Sequence, residues 1–416
     1  MGKKLVVFFV ALTSLELYDL SFLGTSFIKV FQLFGIGFLI LILATQVVQQ
    51  KQINFEKHFN TELFLIFIGV ILSMFMAQWG HDQTLGITFI AQRFMYFYLL
   101  YWALHAIKID TVDLESIIYW LGITFSFLYL IQFFFYPAII FDVRIAEDRD
   151  TIRIFLPGFT FLVLAYFLTI NRLFDEFSFS RVFSVILFLS ILILMGTRQV
   201  IFTVLLLTML NILFSERIKS KIFIFTLMVL SVIPIIIIFQ GIFISLIDLS
   251  KNQSQSLAEN VRIRAAGFFL TQLFPNTFSY ITGNGADSTN SSYGFMIQMY
   301  RDAYGFFQSD IGIIGDYTKF GAVYVIGVFI ILYKTIFGKI SGYFIYIKYF
   351  YISILLTLFT GGGPFAQSDA IVAVCCTLYI LDVDKHDQLT SEDELIEETY
   401  NEIESTQTEM SDDRFN

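Results

Sequence analysis

Charge is scarce in this chain. Only 15% of its residues are charged and 56% are hydrophobic, whereas an ordinary soluble domain carries roughly 25% charged residues. A soluble core could not hide 51 phenylalanines, which excludes a large globular protein. Cysteine is nearly absent. Cys375 and Cys376 are adjacent within an apolar run and read as small buried side chains, not as a redox pair or metal site. Histidine is limited to His58, His81, His105 and His386, none of them in the longest loop. The outer segments hold no His/Cys/carboxylate cluster at metal-ligand spacing, so neither a metal nor a cofactor is expected. No basic domain is present, which excludes nucleic acid as a partner, and no period of 20–50 residues marks a repeat architecture. The net charge of -9 comes largely from the acidic stretch Asp382–Asn416. That stretch is rich in Glu, Asp, Ser and Thr and is expected to be a disordered tail.

What the chain does have is apolar runs of about 20 residues along nearly its whole length, the signature of membrane-spanning helices. The expected fold is an all-α polytopic membrane protein with about twelve spans and one large outer loop containing short helices. The spans are expected near Leu5–Gly24, Thr25–Val48, Glu62–Gly80, Leu85–Ile107, Leu114–Tyr136 and Ile154–Ile170. They continue near Val182–Met195, Val200–Phe214, Ile222–Ile247, Ile311–Tyr333, Tyr349–Thr360 and Ala366–Leu381. The transmembrane domain is thus 1–381, with the outer loop at 247–310 and the tail at 382–416. The seventh and eighth spans meet at the very short link "GTRQ", so one of them is a candidate broken or re-entrant element.

Alternating loops carry Lys3 and Lys4, Lys51 and Lys57, Lys108, Arg172 and Arg181, Arg217 to Lys221, then Lys339 and Lys348. The positive-inside rule makes that set cytoplasmic, with both termini inside. The other set prefers arginine: Arg144, Arg149 and Arg153, then Arg198, then Arg262, Arg264 and Arg301. Topology needs only positive charge. A choice of arginine points to bidentate binding of carboxylate or phosphate, the alternative being ion pairs with neighbours such as Glu147, Asp148, Asp150 and Glu259. Arg93, within the fourth span, is a further candidate.

The long outer loop opens with "SLAE", Ser256–Glu259, which fits a capping box for an amphipathic helix that stops before Pro275. On that helix Arg262 and Arg264 lie about 200° apart, so they cannot both face one small ligand. The glycines of "TGNGADSTNSSYG" permit close approach of backbone to a ligand, or simply a turn. Asp310, at the outer boundary of the tenth span, is a candidate base, with His81 beside Asp82 as second choice. Asp316 and Lys319 stand at i,i+3 spacing and suit a structural ion pair.

In order, "GTRQ", "VRIRAAGFF", "ITGNG" and "SDIGIIGDYTKFG" resemble the O-antigen polymerase/ligase superfamily of bacterial surface-polysaccharide synthesis. The resemblance covers roughly Leu192 to Lys334. It implies glycosyl transfer from a polyprenyl-diphosphate-linked oligosaccharide at the outer face of the inner membrane, without metal. Membrane lipid, a chain-length regulator and a flippase are the other partners it implies. Arg198 matches the arginine of the family's short link, and Arg262 or Arg264 the arginine that opens the loop helix. Arg301 stands before Gly312 at the spacing described for polymerases. Where the ligases carry a histidine, this chain has Gln308, Ser309 and Asp310, which favours a repeat-unit polymerase. A ligase and a non-catalytic lipid-linked oligosaccharide flippase are the alternatives; a flippase leaves the long loop unexplained.

Overall fold

A chain in lipid must satisfy its own backbone hydrogen bonds, and its apolar runs therefore become helices. The computed structural model describes residues 2–49, 57–148, 151–215, 217, 226, 260–360, 363 and 365–389. The first group of helices is α1 (Gly2–Ser14), α2 (Thr25–Val48), α3 (Asn60–His81), α4 (Leu85–Ala91), α5 (Leu99–Ile107) and α6 (Thr111–Phe135). A hairpin of β1 (Ile145–Asp148) and β2 (Thr151–Ile154) follows, then α7 (Phe159–Asp175), α8 (Phe179–Leu194) and α9 (Arg198–Phe214). Beyond residue 260 come α10 (Val261–Thr271), α11 (Ser279–Thr282), α12 (Ser292–Tyr304), α13 (Ile313–Phe337) and α14 (Ile345–Thr357). The last helix, α15, covers residues 368–389.

Among the described residues four helices, α2, α3, α6 and α13, are long and apolar enough to cross a membrane. The 22 residues of α3 extend roughly 33 Å, enough for a hydrocarbon core of about 30 Å. Large apolar side chains such as Phe34, Phe134 and Phe202 are more than 60% exposed on these helices and on α9, as a lipid-facing surface requires. The 16 and 17 residues of α8 and α9 extend only roughly 24–26 Å. Gly196, at φ 62°, turns the chain between them.

Several expectations are corrected. The first expected span, Leu5–Gly24, stops at Ser14, where the hydroxyls of Thr13 and Ser14 bond back to Val10 O and Ala11 O. The fourth, Leu85–Ile107, is interrupted by a 3-10 turn over Arg93–Tyr98. Just ahead of it, the Gln92 side chain is tied to Val70 O at 3.2 Å. The acidic tail does not begin at Asp382, because α15 runs on to residue 389. Asp382 there is buried, accepts a hydrogen bond from Tyr101 and pairs with His105 at 3.0 Å. Asp316 and Lys319 form no ion pair among the described residues; the Asp316 carboxylate lies against Gly363. The hairpin was not expected. The span Ile222–Ile247 apart from residue 226, the capping box Ser256–Glu259 and the segment 390–416 lie outside the described residues.

The core pairs α3 with α13. A Cβ on Gly69 would lie 2.8 Å from Tyr324 Cβ, and one on Gly327 would lie 2.8 Å from Glu62 O. Small residues let the two backbones approach closely, the usual basis of helix packing in lipid. Polar side chains join other helices, as in Tyr166 with Thr208 at 3.0 Å and Tyr351 with Thr377 at 2.9 Å. Cys375 and Cys376 are buried in this core, as expected.

Two polar ends result. At one end, lysine-rich loops from distant parts of the chain meet. Lys4 pairs with Asp113 at 2.7 Å, Arg217 with Asp175 at 2.7 Å and Lys334 with Glu62 at 2.6 Å. Arg172 pairs with Glu115 there. At the other end, the α1–α2 turn bridges residue 141, and the segment after α11 meets the α3–α4 turn. The long loop has a small apolar core of its own, built on Phe269, Leu273, Tyr293, Ile297 and Ile311.

Candidate functional site

At the arginine-rich end a cavity of about 510 Å³ lies between α7, α9, α14 and the start of α15. Its floor is apolar, with Val163, Val204, Phe350 and Ile354. Hydroxyls of Thr160, Ser353, Thr357 and Thr360 line its flank, and Arg153, Arg262, Glu16 and Asp369 bring charge to it. An apolar pocket with a few convergent polar groups is the usual form of a ligand site.

Two elements supply cations to the cavity wall, Arg153 and Arg262, and a third places Arg198 within electrostatic reach of both. Arg153 stands on β2, paired in register with Ala146, and its Nε donates to Met195 O at 3.2 Å. Arg198 is the first residue of α9, ahead of the apolar stretch that begins at Val200. Its neighbour Gln199 anchors that end of the helix by donating to Leu356 O at 2.8 Å. Arg262 stands in the first turn of α10, whose backbone Asn260 caps by accepting the Arg262 N–H at 3.0 Å. Burial lowers the pKa of Arg198, and the like charges of Arg262 and Arg153 lower it further. The Arg198 guanidinium nevertheless remains charged near neutral pH. The structure therefore gathers like charges at one rim.

Aromatic rings extend the rim. Arg153 lies 5.0 Å and Arg144 5.2 Å from the Phe155 ring centroid. Arg144 and Arg301 both sit within 6 Å of the Phe307 ring, at 5.9 and 5.8 Å. Such cation–π contacts hold a guanidinium in place while leaving its N–H edge available. Arg144, Arg262 and Arg264 form no ion pair among the described residues, and Arg301 has only Asp302 at 3.8 Å. The side chains of the acids named as alternative partners, Glu147, Asp148, Asp150 and Glu259, lie outside the described residues. The angular separation expected on the loop helix also holds: Arg262 lines the cavity, while Arg264 lies 5.9 Å from the Phe306 ring.

The acid side of the cavity was not legible in advance. Glu16 opens a turn, Glu16–Asp19, in which four successive non-glycine residues have φ of 55°, 51°, 60° and 51°. Left-handed backbone costs roughly 1–2 kcal/mol per such residue, so the turn must be held by its surroundings. Asp142 N donates to Asp19 O at 2.6 Å and Ser21 N to Ile140 O at 3.1 Å. The reward is position: Glu16 forms part of the cavity wall. Arg93 contributes at one remove. Its Nε donates to Gln32 Oε1 at 2.5 Å, and Gln32 Nε2 donates to Glu16 Oε1 at 2.8 Å. Burial, the Glu16 carboxylate and Asp142 push the neighbouring Asp19 up to about 7. Asp369, the other cavity carboxylate, is committed elsewhere: its Oδ2 accepts the N–H groups of Gly158 and Thr160, both at 3.2 Å, and caps α7.

The two expected bases are elsewhere. Asp310 is exposed on a 3-10 turn, Gln308–Ile311, and is not in the cavity wall. His81 bonds Asn284 at 3.0 Å and stacks on Tyr293 with centroids 4.1 Å apart. It braces the long loop against α3. The "ITGNG" glycines do permit a close backbone approach, but to α13. Gly321 kinks that helix at φ 78°, and the freed Thr318 and Lys319 carbonyls accept Asn284 N at 3.0 Å and Gly285 N at 2.8 Å.

No protein-family model matches this chain, and no curated protein matches it in sequence.

Proposed function

We propose that this chain is a polysaccharide repeat-unit polymerase of the bacterial inner membrane, using a polyprenyl-diphosphate-linked oligosaccharide as donor. In this reading it has about twelve spans, both termini are cytoplasmic and the arginine-rich end faces outward. The observation that carries the proposal is the meeting of Arg153 and Arg262 in the wall of one cavity with an apolar floor, with Arg198, from a third element, close enough to both for their charges to act on it. A lipid diphosphate has that same division into anionic head and apolar tail.

Guanidiniums recognise phosphate oxygens bidentately and neutralise charge as it develops on the leaving diphosphate. They supply charge that a divalent cation would otherwise supply. In the transfer step the acceptor sugar's hydroxyl oxygen bonds to the donor's anomeric carbon. The anomeric carbon–phosphate oxygen bond breaks, and its electron pair leaves with the lipid diphosphate. Glu16 takes the hydroxyl proton, a role its place in the cavity wall supports better than the exposed position of Asp310. Arg93, through Gln32, orients Glu16.

The test uses the full chain in lipid nanodiscs with a polyprenyl-diphosphate-linked repeat unit and a strong chelator. A ladder of lengthening glycans is expected. Transfer of glycan only to a different lipid acceptor would make the chain a ligase. Movement of donor across a bilayer without any new glycosidic bond would overturn the enzymatic reading.

A further inference from the structure

A second cavity, of about 290 Å³, lies at the opposite, lysine-rich end, between the start of α3, the end of α13 and the end of α15. His58, Lys334, Lys339 and Lys385 line it together with the apolar Phe59 and Leu389. The nearby acids are committed. Glu62 pairs with Lys334 at 2.6 Å. Asp384 accepts Ser341 N and Gln388 Nε2, each at 2.9 Å. Asp382 is held by Tyr101 and His105. Lys339 and Lys385 form no ion pair among the described residues, and the described lining of the cavity holds three lysines and no carboxylate.

The His58 ring sits 3.1 Å from Lys385 Nζ through Nδ1, and its backbone carbonyl accepts Lys334 Nζ at 2.8 Å. Desolvation lowers the pKa of His58, and Lys334 and Lys385 lower it further against the opposing pull of Asp382 and Glu62. The ring therefore serves as a neutral acceptor that positions an ammonium group. Because α3 and α13 are both apolar and long enough to cross a membrane, their shared polar end sits at headgroup depth. Ammonium groups above an apolar floor at that depth match an anionic phosphodiester whose acyl chains run along the helices.

We infer that this cavity binds the phosphodiester headgroup of an anionic membrane phospholipid through Lys339 and Lys385. The site is independent of the transfer chemistry at the other end.

The experiment is native mass spectrometry of the full chain in detergent with phosphatidylglycerol, with phosphatidylcholine, or with inorganic phosphate alone. A retained phosphatidylglycerol adduct is expected. Lys339→Gln/Lys385→Gln should weaken it roughly tenfold or more, since juxtamembrane lysines each contribute measurably to anionic-lipid binding. Both side chains are exposed, so the double variant should fold. Lys3→Gln/Lys4→Gln, the same loss of charge at the same end but outside the cavity, should leave the adduct unchanged. Equal loss in the two double variants would show general surface charge and overturn the site. Equal retention of phosphatidylcholine would do so too, as would phosphate alone displacing the lipid. Retention only after deletion of residues 390–416 would identify the chain's own carboxylates as the occupant and sink the lipid assignment.

Discussion

Replacing Gly283 by alanine tests the junction between the long loop and α13. Gly283 has φ of +75°, and a Cβ there would come within 2.5 Å of Gly321 N and closer still to Lys319 O. Both obstacles are backbone, so no side chain can rotate away. The left-handed conformation alone costs alanine roughly 1–2 kcal/mol. Relieving the overlap means parting the loop segment from the kinked helix, which loosens the bonds from Asn284 N and Gly285 N to the Thr318 and Lys319 carbonyls. Each buried hydrogen bond left unmade costs roughly 1–3 kcal/mol, so the total is roughly 3–8 kcal/mol. That is a large part of a domain's usual margin of about 5–15 kcal/mol. The control is Gly267→Ala, in the middle of α10, where nothing lies within 4 Å of the new Cβ. There the change removes a weak helix former and should stabilise by about 0.5–1 kcal/mol. The assay is thermal unfolding of detergent-solubilised protein followed by size-exclusion fluorescence. Gly283→Ala should show little monodisperse protein or a melting point many degrees lower, and Gly267→Ala an unchanged or higher one. If the two variants melt together, the inserted-loop account of the kink at Gly321 is wrong.

Arg198→Lys and Arg262→Lys should each lower polymerisation by about 10- to 100-fold in the nanodisc assay, since a point charge replaces a bidentate fork. Arg217→Lys, paired with Asp175 at the other end, should stay near wild type; equal effects in all three would remove the clamp. Glu16→Gln should slow transfer by about 100-fold or more with donor binding kept, while exposed Asp310→Asn should change the rate only slightly; the reverse order would return the base to Asp310. The pKa of Asp19 is raised from 3.8 to about 7, so the folded chain keeps a proton that the unfolded chain releases. Stability should therefore fall as pH rises through that interval and level off above it. Asp19→Asn should flatten the dependence in melting curves taken from pH 4 to pH 8, and an unchanged slope would assign it to another group.

Much of this architecture was written in local pattern. Runs such as Thr25–Val48 and Ile313–Phe337 become long helices because apolar residues in lipid leave the backbone no other partner for its hydrogen bonds. The helix around Arg262 and Arg264, and the opposite directions of those two side chains, follow from about 100° per residue alone. The bias of arginine toward one set of loops was legible as composition. What only the tertiary structure decided is which side chains meet. Glu16 reaches the cavity through a left-handed turn of four non-glycine residues, a conformation that no propensity favours and that is held by residues 140–142. Arg153 arrives on a hairpin too short and too charged to stand out as strands. Asp310 carries the right chemistry at the right place in the sequence, yet the 3-10 turn leaves it in solvent. Asp382 has the composition of a tail but is drawn into α15 by Tyr101 and His105 from a helix far away in sequence. Local sequence sets the period and polarity of each helix. Contacts between distant residues set the site, because electrostatic and packing partners are chosen across the fold and not along the chain.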